Sequence, residues 1–158
     1  ATLAAAAAGA HVTHVDASKG MVTWAKENAV SSGLGDAPIR WLVDDCVKFV
    51  EREIRPGNHY DAIIMDPPSY GRGPKGEIWK IEDAIHPLVK LCTKILSDDP
   101  LFFLINSYTT GLAPAVLTYM IATELKKYGG HVDSQEIGLP VSSNGLVLPC
   151  GASGRWER

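Results

Sequence analysis

Apolar positions along the chain alternate between short β-type runs and stripes with helical spacing. The run ATLAAAAAGA reads as most of a helix stopped at Gly9. His11–Val15 is β-prone and ends at Asp16. Ser18 is an N-cap for a helix over 19–31, with Met21, Trp24, Ala25, Asn28 and Ala29 at helical spacing and Gly33 and Gly35 closing it. Ile39–Val43 is the next strand, ending at Asp44-Asp45; Cys46–Arg55 follows as a helix with Val47, Phe49, Val50 and Ile54 turned to the core. After a turn at Pro56-Gly57-Asn58, Tyr60–Met65 lacks amphipathic alternation beyond Asp61, which suits a parallel strand buried on both faces.

That strand stops at Asp66-Pro67-Pro68, and a loop follows. Proline lacks the N–H that a ladder needs and biases its predecessor away from helix. A stiff, extended exit is expected, with the Asp66 carboxylate and the Pro67 and Pro68 carbonyls held at the strand's C-terminal end. A helix over 79–96 then offers Ile81, Ile85, Leu88, Val89, Cys92 and Ile95, with Pro87 expected to kink it or break it near Ile85. Leu101–Ile105 is a buried strand ending at Asn106-Ser107, followed by a helix over 114–128 that ends at Gly129-Gly130. Two strands, 131–138 and 146–150, finish the chain, joined by a linker containing Pro140 and Asn144-Gly145 that suits a hairpin.

Strand–helix alternation of this kind predicts an α/β fold: a mostly parallel sheet, helices on both faces, and one antiparallel strand from the terminal hairpin. In such sheets ligands bind at the C-terminal ends of the strands. Three successive strands end in acid there, at Asp16, Asp44-Asp45 and Asp66. Asp16 can accept both ribose hydroxyls of an adenosine. Asp45, or alternatively Asp44, can accept from an adenine amino group. The competing reading is that each acid only caps the helix after it, where the helix dipole favours negative charge. Three acids in register, the last followed by two prolines, favour a ligand.

The chain's 158 residues suffice for one domain with a real core, and the formal net charge of −3 argues against a large phosphate-binding surface on this segment. Cys46, Cys92 and Cys150 are odd in number and form no CxxC pattern, as expected of reduced thiols in a cytoplasmic protein. The five histidines show no ligand spacing, so no metal site is expected. No apolar run approaches the ~20 residues of a membrane span.

The pieces HVDAS (14–18), WLVDDC (41–46) and DPPSYGRG (66–73), with the terminal strand pair, resemble the Rossmann-like (class I) S-adenosylmethionine-dependent methyltransferases. Within that family the chain is most similar to the ribosomal-RNA cytosine-C5 methyltransferase-like group, which carries a DPP motif followed by a long loop. The resemblance covers nearly the whole chain. It implies S-adenosylmethionine (SAM) as cofactor, held by Asp16, Ala17, Asp44, Asp45, Cys46 and Asp66. It implies an acceptor site of Asp66, Pro67, Pro68 and Tyr70, with Tyr70 either stacking on a planar substrate or packing as a loop tyrosine. Arg72, Lys75 and Lys80 make the loop basic, as phosphate contacts in an RNA substrate require and as a merely solvated loop would also show. Asn106 and Ser107 are expected to border the same crevice.

Two departures stand out. The family's first strand and glycine-rich turn have no counterpart, because residue 1 falls just after that turn. The expectation is a catalytic domain over 1–158 lacking its N-terminal strand, with an upstream domain of the same protein; a homo-oligomer is left open. Cytosine C5 methylation also needs a thiolate nucleophile, and Ser69 stands where the RNA enzymes place cysteine. Cys150 is a distant substitute, and a buried free cysteine is the simpler reading of it. Three rival functions remain: methyl transfer to a protein or small molecule, a nicotinamide-dependent oxidoreductase, since Asp16 also suits a dinucleotide ribose, and a non-catalytic Rossmann-like binding module.

Overall fold

The computed structural model describes residues 1–73, 76–109 and 111–158. They form two compact units, 1–56 and 57–158.

The first unit holds α1 (Thr2–Ala7), β1 (Val12–Asp16), α2 (Lys19–Ser31), β2 (Ile39–Val43) and α3 (Cys46–Ile54). β1 and β2 pair in parallel, Val12 opposite Ile39 and Asp16 opposite Val43, so both strands end together. Ser18 caps α2 as its sequence suggests, its Oγ accepting from the Met21 N–H at 3.3 Å. The core is small: Ala6, Val22, Ala29, Phe49 and Val50 are buried. Glu53, also buried, takes a hydrogen bond from Arg40 at 3.2 Å, which offsets the desolvation of its carboxylate.

The second unit is built on a four-stranded sheet in the order β3-β6-β8-β7: β3 (Ala62–Met65), β6 (Phe102–Ser107), β8 (Val147–Glu157) and β7 (His131–Pro140). β3 and β6 are parallel, and β8 runs antiparallel to both β6 and β7. α4 (Ile81–Cys92) presents the expected stripe, with Ile81, Ile85, Leu88, Val89 and Cys92 buried. α5 (Pro114–Leu125) buries Leu117, Met120, Ile121 and Leu125. Along β6, Phe103, Ile105 and Ser107 alternate inward. Phe103 lies opposite Trp156 of β8, and both are fully buried. The Trp156 indole N–H is satisfied by the Gly129 carbonyl at 2.7 Å. Gly154 lets β8 approach α5, since a Cβ there would stand 2.7 Å from Leu117 Cβ.

Several boundaries differ from the sequence reading. α4 starts at Ile81, not 79, and runs unbroken through Pro87 to Cys92 before a 3₁₀ turn at Thr93–Ile95. Residues read as a loop and as the first residues of that helix form a small antiparallel pair, β4 (Tyr70–Arg72) with β5 (Ile78–Lys80). β6 extends through Asn106 and Ser107, and β8 runs on to Glu157; pairing between β6 and β8 sustains both beyond their apolar runs. β3 is not buried on both faces. It is an edge strand of this sheet, and Ile64 is 37% exposed.

Candidate functional site

In the first unit, Asp16, Ala17, Asp44, Asp45 and Cys46 share the C-terminal end of the β1–β2 pair. The Asp44 N–H donates to the Asp16 carbonyl at 3.0 Å, extending the ladder by one step. Each carboxylate is tied to backbone. Asp16 Oδ1 accepts from the Ser18 N–H at 2.6 Å. Asp44 Oδ1 accepts from the Asp45 N–H at 2.9 Å, and its other oxygen pairs with Arg52. Asp45 caps α3, its Oδ1 accepting from the Lys48 N–H at 3.0 Å. Asp16 holds the turn before α2 and Asp45 caps α3, and each keeps a second oxygen with no partner among the described residues. At Asp44 both oxygens are engaged, so of the two candidates for the adenine amino group Asp45 is the better disposed.

Cys46 opens α3, a position where the helix dipole ordinarily favours a thiolate. Here burial raises the thiol pKa, and Asp45 and then Asp16 raise it further. Although the residue reaches solvent, its thiol is thereby kept neutral beside the acids. His14 packs on Trp41 with ring centroids 5.0 Å apart, and its Nδ1 meets Thr2 Oγ1 at 2.8 Å. Burial lowers its pKa, so at neutral pH it is an uncharged structural imidazole.

In the second unit, Asp66 leaves β3 one step after the Met65–Ile105 pair, which sets it beside Asn106 at the end of β6. Its carboxylate accepts no hydrogen bond among the described residues. Although the residue reaches solvent, partial burial of the carboxyl raises its pKa. The proline exit is pinned from three sides. The Trp79 indole N–H donates to the Pro68 carbonyl at 2.6 Å. The Ile81 N–H donates to the Ser69 carbonyl at 3.1 Å. Ser69 Oγ meets Thr109 Oγ1 at 2.7 Å, joining the segment after β3 to the segment after β6. The Pro68 carbonyl is thus already used once, leaving one of its two lone pairs for a ligand.

Tyr70 is exposed in β4, and its phenol oxygen accepts from Arg72 Nε at 2.9 Å. Arg72 is thereby directed at Tyr70, and Lys75 lies outside the described residues. Ser107 faces inward and is 1% exposed, so it cannot border an open crevice. Its Oγ accepts from the Thr109 N–H at 3.3 Å and shapes the strand exit instead. Cys92 is the buried cysteine; Cys150 is only partly buried, with its Sγ–H directed to the Leu148 carbonyl at 3.3 Å.

Sequence reasoning missed Trp79, assigned to a helix, and Tyr108, which it did not consider. Tyr108 follows β6 directly and is 53% exposed. The Asp66 carboxylate raises its pKa, aided by burial and by Cys150, so Asp66, Tyr108 and Cys150 share one electrostatic neighbourhood. The signal was available: an aromatic immediately beyond an apolar strand's polar end.

The chain has the α/β Rossmann-like methyltransferase fold. A solved SAM-dependent methyltransferase from Agrobacterium tumefaciens is 41% identical, with a TM-score of 0.90 over 98% of this chain and 51% of its own. A protein assigned as a methyltransferase and solved with S-adenosylhomocysteine (SAH) shares the fold at 22% identity, with a TM-score of 0.76 over 98% of this chain and 41% of its own. Among curated proteins, ribosomal RNA large subunit methyltransferase K/L of Pseudoalteromonas atlantica is 34% identical over 86 residues, 54% of this chain and 12% of that protein. The chain thus spans about half of the Agrobacterium chain and a smaller part of the curated relative. No protein-family model matches.

Proposed function

We propose that the chain belongs to a SAM-dependent methyltransferase acting on a nucleobase of large-subunit ribosomal RNA. The observation that carries this reading is the 41% identity to the Agrobacterium SAM-dependent methyltransferase across nearly the whole chain. The RNA acceptor is supported by the curated relatives, which are named for ribosomal RNA. Such an enzyme would work in the cytoplasm, and no helix among the described residues is long and apolar enough to cross a membrane.

The donor set fits an adenosine cofactor: acceptor-only carboxylates stand on adjacent strands, each already oriented by a backbone N–H. Asp16 would take the ribose diol and the second oxygen of Asp45 the adenine amine, with Ala17 and Cys46 as uncharged neighbours of the ring. Bound SAM supplies an electrophilic methyl group on a sulfonium, ready for in-line displacement. The protein's share is then positioning. Asp66 would accept from an N–H of the target base and fix its orientation. Pro67 and Pro68 make that acceptor rigid, and Trp79 locks Pro68. Tyr70 would flank the approach.

The acceptor atom in this reading is a base nitrogen. A cytosine-C5 acceptor, which the resemblance implies, needs a thiolate. Ser69 occupies the expected cysteine position, and the Cys150 thiol donates to a carbonyl. The test is calorimetric titration of SAH into the full-length protein and into Asp16→Ala. Micromolar binding weakened at least ~10-fold by the substitution, about 1.4 kcal/mol, is expected. A folded protein that binds no SAH sinks the proposal and returns the nicotinamide and binding-module readings.

A further inference from the structure

We infer that Tyr108 is the acceptor-binding aromatic of this site: its ring forms the wall against which a planar, amine-bearing heterocycle lies while Asp66 accepts from that amine. The inference rests on the methyltransferase reading and deepens it by naming the group that reads the acceptor.

Three observations converge on Tyr108. β3 stops at Met65 opposite Ile105 while β6 runs on through Asn106 and Ser107, so the Asp66-Pro67-Pro68 exit follows the last two residues of β6 towards Tyr108. The Ser69–Thr109 hydroxyl contact at 2.7 Å then fastens the two segments together, three residues past Asp66 and one past Tyr108. From the other side β8 closes on the Tyr108 backbone. Gly151 has φ +147°, and a Cβ there would stand 2.2 Å from the Ser107 carbonyl oxygen and 3.0 Å from Tyr108 Cα. The backbone of Tyr108 is therefore clamped between β3's exit and β8, while about half of the residue remains open to solvent. A clamped backbone carrying an exposed ring beside a carboxylate that has no partner among the described residues is a stacking platform with a hydrogen-bond acceptor at its edge. The phenol, held protonated by the nearby Asp66 charge, keeps the ring neutral through the ordinary working range of pH.

Tyr70, to which the sequence points, is less suited. Its hydroxyl is committed to Arg72, and it belongs to the β4–β5 hairpin rather than to a strand end. The role inferred for Tyr108 depends on the ring and not on the hydroxyl.

The experiment uses the full-length protein, large-subunit ribosomal RNA transcribed in vitro, and radiolabelled SAM, with SAH titration as a separate readout. Tyr108→Ala and Tyr108→Leu are expected to raise the KM for RNA at least ~10-fold while SAH affinity stays within about threefold. Tyr108→Phe is expected to restore KM to within about threefold of the unaltered protein. Thermal unfolding of each variant separates loss of the ring from loss of fold, and two non-aromatic replacements guard against one failing to fold. Unchanged KM in folded Tyr108→Ala or Tyr108→Leu, or a tenfold rise in Tyr70→Ala alone, overturns the inference and leaves the methyltransferase reading intact. If the unaltered protein binds SAH but methylates no RNA, the RNA reading fails and this inference falls with it.

Discussion

The acids of the two units are treated in opposite ways. At the β1–β2 end, Asp16, Asp44 and Asp45 are all bound to backbone N–H groups, and Asp44 also to Arg52. At the β3 end, Asp66 has no such partner among the described residues, and partial burial raises its pKa. The first arrangement stabilises the folded chain and leaves spare oxygens for a ligand. The second disfavours a charged carboxylate that a ligand would have to satisfy. Stability and preorganisation coincide in the first unit and conflict in the second, as at sites where function is kept at the expense of stability.

The strongest test of that contrast is Asp66→Asn. Methyl transfer is expected to fall at least ~100-fold, the lower range for a positioned proton-bridging group. The folded-state pKa is raised, so the aspartate's stabilising contribution is complete below its ordinary pKa and is lost as pH rises through the raised value. The melting temperature of Asp66→Asn should therefore exceed that of the unaltered protein at neutral pH, and the gain should vanish in acid. A variant less stable than the parent at pH 7 would contradict the assignment. Gly151→Ala probes the clamp on the same edge. Its positive φ and the clash with the Ser107 carbonyl predict a loss of about 2 kcal/mol or more by denaturant unfolding.

Smaller effects sharpen the other side. Asp45→Ala removes the α3 cap and should cost about 1 kcal/mol, whereas Asp45→Ser retains the cap and loses only the second carboxylate oxygen. If Asp45 meets the adenine amine, SAH affinity drops in both variants while stability drops only in the first. Affinity that survives in Asp45→Ser would reduce Asp45 to a cap. Trp79→Phe frees the Pro68 carbonyl of a hydrogen bond worth about 1 kcal/mol. A rise of a few-fold in KM for RNA, with SAH binding unchanged, is the expected kinetic trace.

Much of this was legible in the chain itself. Local signals that the structure repeats carry their own mechanism: the Ser18 cap, the α4 stripe from Ile81 to Cys92, and the α/β alternation. They depend on contacts within a few residues, which spacing encodes directly. The strand-end acids were legible as positions but not as chemistry. Whether Asp44 or Asp45 keeps a spare oxygen depends on Arg52 eight residues away, and sequence spacing does not say which way a guanidinium turns.

What the amino-acid order determined alone is the succession of elements apart from β4 and β5, and the Asp66-Pro67-Pro68 exit, because proline chemistry and hydrophobic period are local properties. What only the tertiary structure decided is who surrounds that exit. Tyr70–Arg72 and Ile78 read as a loop and Trp79 as the start of a helix, yet cross-strand pairing makes them part of β4 and β5 and sets Trp79 on the Pro68 carbonyl. Ser107, expected at a crevice, is turned inward by the pleat of β6, and the next residue, Tyr108, is thereby turned out. Contacts between residues forty positions apart, such as Ser69 with Thr109, exist only once β3 and β6 have paired in register.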